Sequence, residues 1–352
     1  KLKNVSLTQP GRGIEPLSQL PFLVMVPRLS KIEPKVVGGP DALDEYDFGE
    51  DQNPYIRELG ERLSRSVPKV PVMSVVPSVV PFANIWAACM GVPGFDRSLP
   101  FAKRLIPLGQ CVRDLSVSFV PSLNGNPPHM LIAGSPRSGR SSTLRAIMGS
   151  ITAQFSPREA RIILIDPSFS HINEAEHLIA DGYMKKENYV QSSPEDIARV
   201  TDSIIKILHK RAPQSGVDAR TIRDRTWFEG PELYILVDNY ASIMSQQGVV
   251  CPLDEIVKHL GAENRGVHLI ISTNATGLMG ASTMNKPLKA MMSMNAPILM
   301  LNGPLNEPPI TGLKKKFAER RPGRGELVNA VESTSDIVQV AWMDPWEELS
   351  RQ

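Results

Sequence analysis

The residues able to do chemistry concentrate between His129 and Thr143, which reads His-Met-Leu-Ile-Ala-Gly-Ser-Pro-Arg-Ser-Gly-Arg-Ser-Ser-Thr. Gly134 and Gly139 stand five apart, with Ser135, Pro136, Arg137 and Ser138 between them and Arg140, Ser141 and Ser142 behind. Glycines at that spacing let backbone N–H groups converge on a polyphosphate, and a helix starting behind them adds a favourable dipole. The spacing predicts a phosphate-binding loop made of Gly134 to Ser142. The usual motif has Lys-Ser/Thr after the second glycine, and here Arg140-Ser141 stands there. Arginine keeps the charge but spreads it over a planar fork, so the exchange is not conservative.

A second set of candidates is Asp238 and Asn239. Asp238 follows the apolar run Tyr234 to Val237, the position of an aspartate that holds a magnesium shell, with Ser141 as the hydroxyl ligand from the loop. In hydrolysing enzymes of this architecture an acid usually follows, to polarise the attacking water. Asn239 cannot accept a proton at neutral pH, so general-base work is lost while magnesium binding survives. Arg265 and Arg324 are candidate donors of charge to a phosphoryl transition state, although each also fits a surface or turn arginine.

These residues need a frame. Met130 to Ala133 has the length and type of a buried parallel strand, and Ser141 to Ala153 carries Leu144, Ile147, Met148 and Ile151 at helical spacing. Further strands are predicted at 161–166, 232–238, 266–274, 297–301 and 337–342, with edge strands in 105–121. Helices are predicted over 54–66, from Pro194 to about Arg211 behind the cap Ser193, and over 252–264. Strands alternating with helices argue for a mainly parallel sheet flanked by helices, an α/β fold. Ligands in such sheets bind at the carboxyl ends of the strands, which places the Gly134 loop, Asp166, Asp238 and Thr273-Asn274 along one edge.

Composition agrees with a globular protein: 41% hydrophobic and 22% charged residues, net charge +2. A balance of 39 basic to 37 acidic residues advertises neither a nucleic-acid nor a membrane surface. Cys89, Cys111 and Cys251 lie far apart, which indicates neither a disulfide framework nor a zinc site. No signal peptide opens the chain. The apolar stretch Val70 to Phe95 is broken by Pro71, Pro77, Pro81 and Pro93, and reads as an extended connection rather than a membrane span. Pro10-Gly11-Arg12-Gly13 recurs as Pro322-Gly323-Arg324-Gly325, as though residues 1–30 were the tail of a preceding, similar module. The domain reading is therefore tail 1–30, linker 31–100 with a short helix and an extended proline-rich segment, and nucleotide domain 101–352.

Several blocks together resemble a known family. They are Gly134–Ser142, Ile165-Asp166, Arg225-Thr-Trp-Phe-Glu-Gly-Pro-Glu-Leu-Tyr234, Val237-Asp-Asn-Tyr240, Gly266-Val-His-Leu269, Asn302-Gly303-Pro304 and Pro322-Gly-Arg-Gly325. The chain from about 100 to 345 resembles the ATPase modules of type VII secretion motors of the EccC type, in the FtsK/SpoIIIE branch of P-loop ATPases. The resemblance implies a RecA-like P-loop NTPase fold, ATP and Mg2+ as ligands, and degenerate catalytic motifs that bind nucleotide and hydrolyse it weakly or not at all. It implies as partners the other ATPase modules of the motor, further copies up to a hexameric ring, and a WXG-family secreted protein held by its C-terminal signal. The end of the chain resembles the last of the tandem modules. The resemblance implies the cytoplasmic face of the cell membrane, reached through a part outside this sequence. Asn274, which replaces the glutamine of DNA-translocating relatives, is a candidate sensor of the phosphates. An active ATPase or DNA translocase is the alternative, and the missing DNA-reading domain and near-zero charge weigh against nucleic acid.

Six of the fourteen methionines fall between Met279 and Met300. Methionine suits the binding of amphipathic helices, so Leu288, Met291 and Met292 are candidates for one wall of a groove for the substrate signal. The alternative is that they pack a helix onto the sheet.

Overall fold

The computed structural model describes residues 53–66, 75–92, 95–99, 103–120, 127–213, 215–244, 250–260, 264–310 and 314–347, together with four short strands nearer the start. The chain divides into two compact units, 1–73 and 74–352. The first contains two antiparallel pairs: β1 (Arg12–Ile14) with β2 (Pro21–Leu23), and β3 (Lys35–Val37) with β4 (Glu45–Asp47). Helix α1 (Asn53–Ser66) follows, with Pro54 at its start, where the missing N–H is no loss. The rest of residues 1–30 lies outside the described residues.

The second unit begins ahead of residue 101, where the sequence placed the nucleotide domain. Its first pieces are β5 (Val80–Pro81) and α2 (Phe82–Cys89), a helix inside the stretch expected to be extended. The prolines permit it because none falls within the helix. Pro81 takes the position before the first turn, and Pro77 stands outside. Ile85 and Cys89, four apart, bury one face. Then come β6 (Pro107–Cys111), β7 (Val117–Phe119), β8 (Met130–Gly134), α3 (Arg140–Gln154), β9 (Ala160–Ile165), α4 (Ile172–Ala180), β10 (Tyr189–Val190) and α5 (Pro194–Lys210). The remainder is α6 (Ala219–Asp224), β11 (Glu232–Val237), β12 (Val267–Asn274), α7 (Leu278–Met284), α8 (Lys286–Ser293), β13 (Ile298–Met300), β14 (Arg324–Asn329) and β15 (Thr334–Trp342).

One sheet joins the strands from β5 onward in the order β10-β9-β11-β12-β8-β13-β14-β15-β6-β7, with β5 beside β15. From β10 to β13 all neighbours are parallel, and the pairs from β13–β14 through β6–β7 are antiparallel. The parallel strands are apolar without alternation because both faces are covered. Side-chain period two then divides one strand between two cores. Met130 and Ile132 of β8 pack with Leu144, Ile147 and Ile151 of α3, while Leu131 and Ala133 face the opposite core with Ile204 of α5 and Leu288 of α8. Helix α5 starts as expected, with the Ser193 hydroxyl accepting from the Asp196 amide (3.2 Å), a cap worth about 1 kcal/mol. The helix expected over 252–264 is instead a short 3-10 segment, Pro252–Lys258. Its buried Leu253 and Ile256 are three apart, the spacing that a three-residue turn stacks on one side.

Candidate nucleotide site

The parallel register sets the site. Asn274 at the end of β12 stands beside Gly134 at the end of β8, and Asp238 follows β11 with its amide donating to Ile165 O of β9 (2.9 Å). Backbone pairing thus delivers the loop, Asp238 and Asn274 to one carboxyl edge. Within the loop, a Cβ on Gly134 would collide with the Ser138 hydroxyl, and Gly139 has φ +104° with no room for a side chain against the Gly323 amide. Both glycines are therefore demanded by geometry. Arg137 also takes a left-handed φ, +63°, which turns Ser135–Gly139 back over the start of α3. The Gly323 amide donates to Ser138 O (2.8 Å), so the recurring Pro-Gly-Arg-Gly segment closes directly on the loop.

Arg140 opens α3 half-buried, and one guanidinium nitrogen is buried without a hydrogen-bond partner. Burial pushes its pKa down, and the Asp238 charge pulls it back up. A half-buried cation with an unpartnered nitrogen at the mouth of a glycine loop is matched by an anion, so the residues present fit a polyphosphate. The Ser141 hydroxyl donates to Asp238 Oδ2 (2.7 Å), and Ser272 donates to Asp238 Oδ1 (2.5 Å). His171 Nε2 lies 3.3 Å from Asp238 Oδ2. Burial alone would raise the Asp238 carboxyl; His171 and the hydroxyls of Ser272 and Ser141 outweigh it and hold the pKa at about 2. A hydroxyl and an ionised carboxylate in contact are the pair from which a magnesium shell is built beside phosphates.

Asn239 takes φ +50°, and its side-chain amide donates to Ser168 (2.9 Å) and Ser242 (2.6 Å). It is held by hydroxyls, with nothing in the side chain that could take a proton from water. Asn274 is half-buried, and its carbonyl accepts from the Thr276 amide (3.3 Å). Asp166 is spent on structure: it accepts from the Ser170 and His171 amides (3.0 and 2.9 Å) and fixes the start of α4. Arg324 donates through Nε to Gln339 and through Nη2 to the carbonyls of Val76 and Pro77, so this edge of its guanidinium is engaged within the same chain.

A cavity of about 400 Å³, which no local sequence pattern marks, opens beside the loop. Gly139 and Ser142 form its floor, Pro322 and Gly323 one wall, and Val340–Trp342 with Ser78 and Val79 the rest. Its volume is in the range of small-molecule sites. The signal that pointed here was the recurring Pro-Gly-Arg-Gly, whose part in the site needs the β14–β15 hairpin to become visible. The other candidate groove is built differently. Leu288 and Met291 are 0% and 1% exposed in the core under α8, Met292 is half-buried, and Met284 is 81% exposed.

The most specific block of the sequence lies at the opposite, amino edge of the sheet. Arg225 donates twice to the Glu232 carboxylate (2.8 and 2.9 Å), and His268 Nε2 sits 2.6 Å from the same group. Trp227 Nε1 donates to Arg211 O (2.8 Å), while the Arg211 guanidinium lies over Phe228 (4.7 Å) and donates to the carbonyls of Pro231, Arg265 and Gly266. This is a clamp that fastens the end of α5 to the starts of β11 and β12.

A phosphate loop leading from a parallel strand into a helix, with a strand-end aspartate on its serine, defines a P-loop NTPase fold of the α/β class. Residues 106–278 match the FtsK/SpoIIIE family, and the chain carries a domain of that family. It is homologous to the ATPase modules of EccC proteins of ESX, or type VII, secretion systems. It is 27% identical over 246 residues to the ESX-1 secretion system protein EccCb1 of Mycolicibacterium smegmatis, covering 69% of this chain and 39% of that protein. It is 27% identical over 279 residues to the ESX secretion system protein EccC of Thermomonospora curvata, covering 79% of this chain and 19% of that one. The chain thus spans well under half of these relatives. Among solved structures it resembles T. curvata EccC (ATPases 2 and 3) in complex with a signal sequence peptide, with a TM-score of 0.68 at 23% identity over 97% of this chain and 55% of that one. That likeness shows the fold.

Proposed function

We propose that this chain is a nucleotide-holding, weakly or non-hydrolysing terminal module of a type VII secretion motor. The observation that carries it is the composition of the site: Arg140 unpaired beside Asp238, with Asn239 fixed by Ser168 and Ser242 where a base would be needed. The backbone of Ser135–Ser142 and the Arg140 guanidinium receive the phosphates, Ser141 and Asp238 hold magnesium, and the cavity beside Trp342 takes the base. Asn274, level with Gly134, stands where the terminal phosphate would be sensed. Bound ATP and magnesium supply a polyanion and a phosphoanhydride. The chain supplies binding and orientation but no group to deprotonate water.

The domain order extends this reading. Arg12 opens β1 and Arg324 opens β14, each after Pro-Gly, and each strand then pairs antiparallel with the next. Residues 1–30 are accordingly the end of a preceding module, and neighbouring modules and further copies, up to a hexameric ring, are the partners. The cytoplasmic face of the membrane is the location; among the described residues no helix is long and apolar enough to cross a bilayer. The T. curvata structure was solved with a signal sequence peptide, and by analogy this module takes the C-terminal signal of a WXG-family protein.

The test is equilibrium binding of ATP with magnesium, alongside a steady-state turnover assay, on the unaltered chain and on Arg140→Lys/Asn239→Glu. Binding with very low turnover is expected, and the double variant should turn over faster. A robust rate in the unaltered chain sinks the non-hydrolysing reading. Failure to bind nucleotide sinks the site.

A further inference from the structure

Behind Asp238 lies a chain of buried titratable side chains that the proposed chemistry does not use. His171, fully buried at the start of α4, has Nε2 3.3 Å from Asp238 and Nδ1 3.9 Å from the Glu174 carboxylate, itself 2% exposed. Arg145 of α3 pairs with the other oxygen of Glu174. That same oxygen also receives the backbone amide of Trp346 (3.3 Å), in the segment that follows the last strand. Asp238 and residues 343–347 are therefore joined through two side chains of one short helix.

The segment is held down at several points. Asn173 donates to Trp346 O (2.8 Å), His177 Nε2 lies 2.6 Å from Glu347 O, and the Trp346 indole meets the His177 ring edge-on at 5.5 Å. Trp346 Nε1 also donates to Met343 Sδ (3.2 Å). Met343 in turn occupies the space where a side chain on Gly149 would be. Glycine in the middle of α3 is less favourable than alanine, and what it admits here is Met343, the first residue of this segment. So residues 343–347 seat on the helix that begins at the phosphate loop and on the helix that carries His171.

We propose that His171 is a positioning residue for Asp238, and that the segment 343–347 sets its place through Glu174 and Arg145. The inference rests on the reading of Asp238 as part of a magnesium shell. His171 approaches Oδ2 of Asp238, the oxygen that Ser141 also meets, while Ser272 donates to Oδ1, so the histidine bears on the oxygen turned toward the loop. Glu174 lies behind His171, 3.9 Å from Nδ1, and is itself placed by one arginine and one backbone amide. Freeing the segment removes that amide and leaves a buried carboxylate with less support, and the adjustment passes to the histidine. By linkage, whatever draws Asp238 toward a metal must also alter how firmly the segment is seated.

The experiment compares binding of a fluorescent ATP analogue in magnesium and in EDTA for the full chain and for His171→Ala, His171→Gln and Trp346→Ala, each checked for folding by circular dichroism. Metal-free affinity should stay within about twofold, while the gain on adding magnesium falls about tenfold in His171→Ala and severalfold in Trp346→Ala. His171→Gln, which keeps a donor for Asp238, should recover part of it. An unchanged magnesium gain in folded variants overturns the proposal, and so does an equal loss with and without metal, which marks a purely structural histidine. Hydrogen exchange of residues 343–347 is read in parallel without nucleotide. Asp238→Asn and His171→Gln should both raise it, and no change in either overturns the coupling. If the unaltered chain binds no ATP analogue at all, the nucleotide reading fails, while the exchange data still decide whether Asp238 and the segment are connected.

Discussion

Two carboxylates in this molecule are buried and held at about 2 for different ends. Asp238 is kept ionised by His171, Ser272 and Ser141 at the edge where a metal would bind. Glu232, 1% exposed, would be pushed up by burial, but His268 and Arg225 reverse this and hold it down at about 2, at the far edge, where it ties strands together. Because the folded pKa of Glu232 lies below its ordinary value of 4.5, its stabilisation is complete above that value and disappears as pH falls toward 2. Glu232→Gln should therefore lower stability at neutral pH and flatten the loss between pH 5 and pH 2. The difference in slope should amount to something on the order of 3 kcal/mol over that range. Urea midpoints measured at steps across it give the answer, and parallel curves for the two proteins would refute the role assigned to Glu232.

At the scale of elements, α8 has a buried face and a half-buried one. Pro287, Leu288 and Met291 are buried under it, while Met292 is half-buried. Met291→Ala should cost about 2–5 kcal/mol, the range for emptying a methionine-sized core site, and Met292→Ala well under half of that. Chemical denaturation separates the two. For the proposed signal contact the informative change is Met292→Glu, which leaves the core intact. Titration with a fluorescent C-terminal peptide of a WXG-family protein should then weaken about tenfold, equivalent to about 1.4 kcal/mol. Unchanged affinity in the folded variant would move the signal away from α8.

For the whole molecule, the parallel sheet separates the two tasks. Its carboxyl edge gathers the loop, Asp238 and Asn274; its amino edge holds the Arg225, Trp227 and Glu232 clamp. Ligand bound at the first edge should stabilise the unit 74–352 by mass action, about 2.7 kcal/mol at one hundred times Kd. The urea midpoint of that unit should rise with ATP and magnesium and stay put in Arg140→Glu. A midpoint in that variant that rises as in the unaltered chain would show that the ligand binds elsewhere.

The sequence by itself determined the glycine loop between strand and helix, the parallel core and the asparagine after Asp238. Those signals are local: two glycines five apart, four unbroken apolar runs, and an asparagine after an aspartate. It also separated Ser193 and Pro194 as a helix start, because a cap acts within one turn. It did not reveal α2 within the proline-rich stretch, since prolines mark where a helix cannot continue and say little about the residues between them. Nor did it show that the Arg-x-Trp-x-x-Gly-Pro block is a clamp remote from the phosphates, for its partners Arg211, Asn264 and His268 come from other elements. The cavity beside the loop and the His171–Glu174 chain likewise join residues such as Val79 and Trp342, or Asp238 and Trp346, that no periodicity connects. Patterns of period two and 3.6 fix which face a residue takes on its own element. Which faces meet was decided by the packing of the sheet.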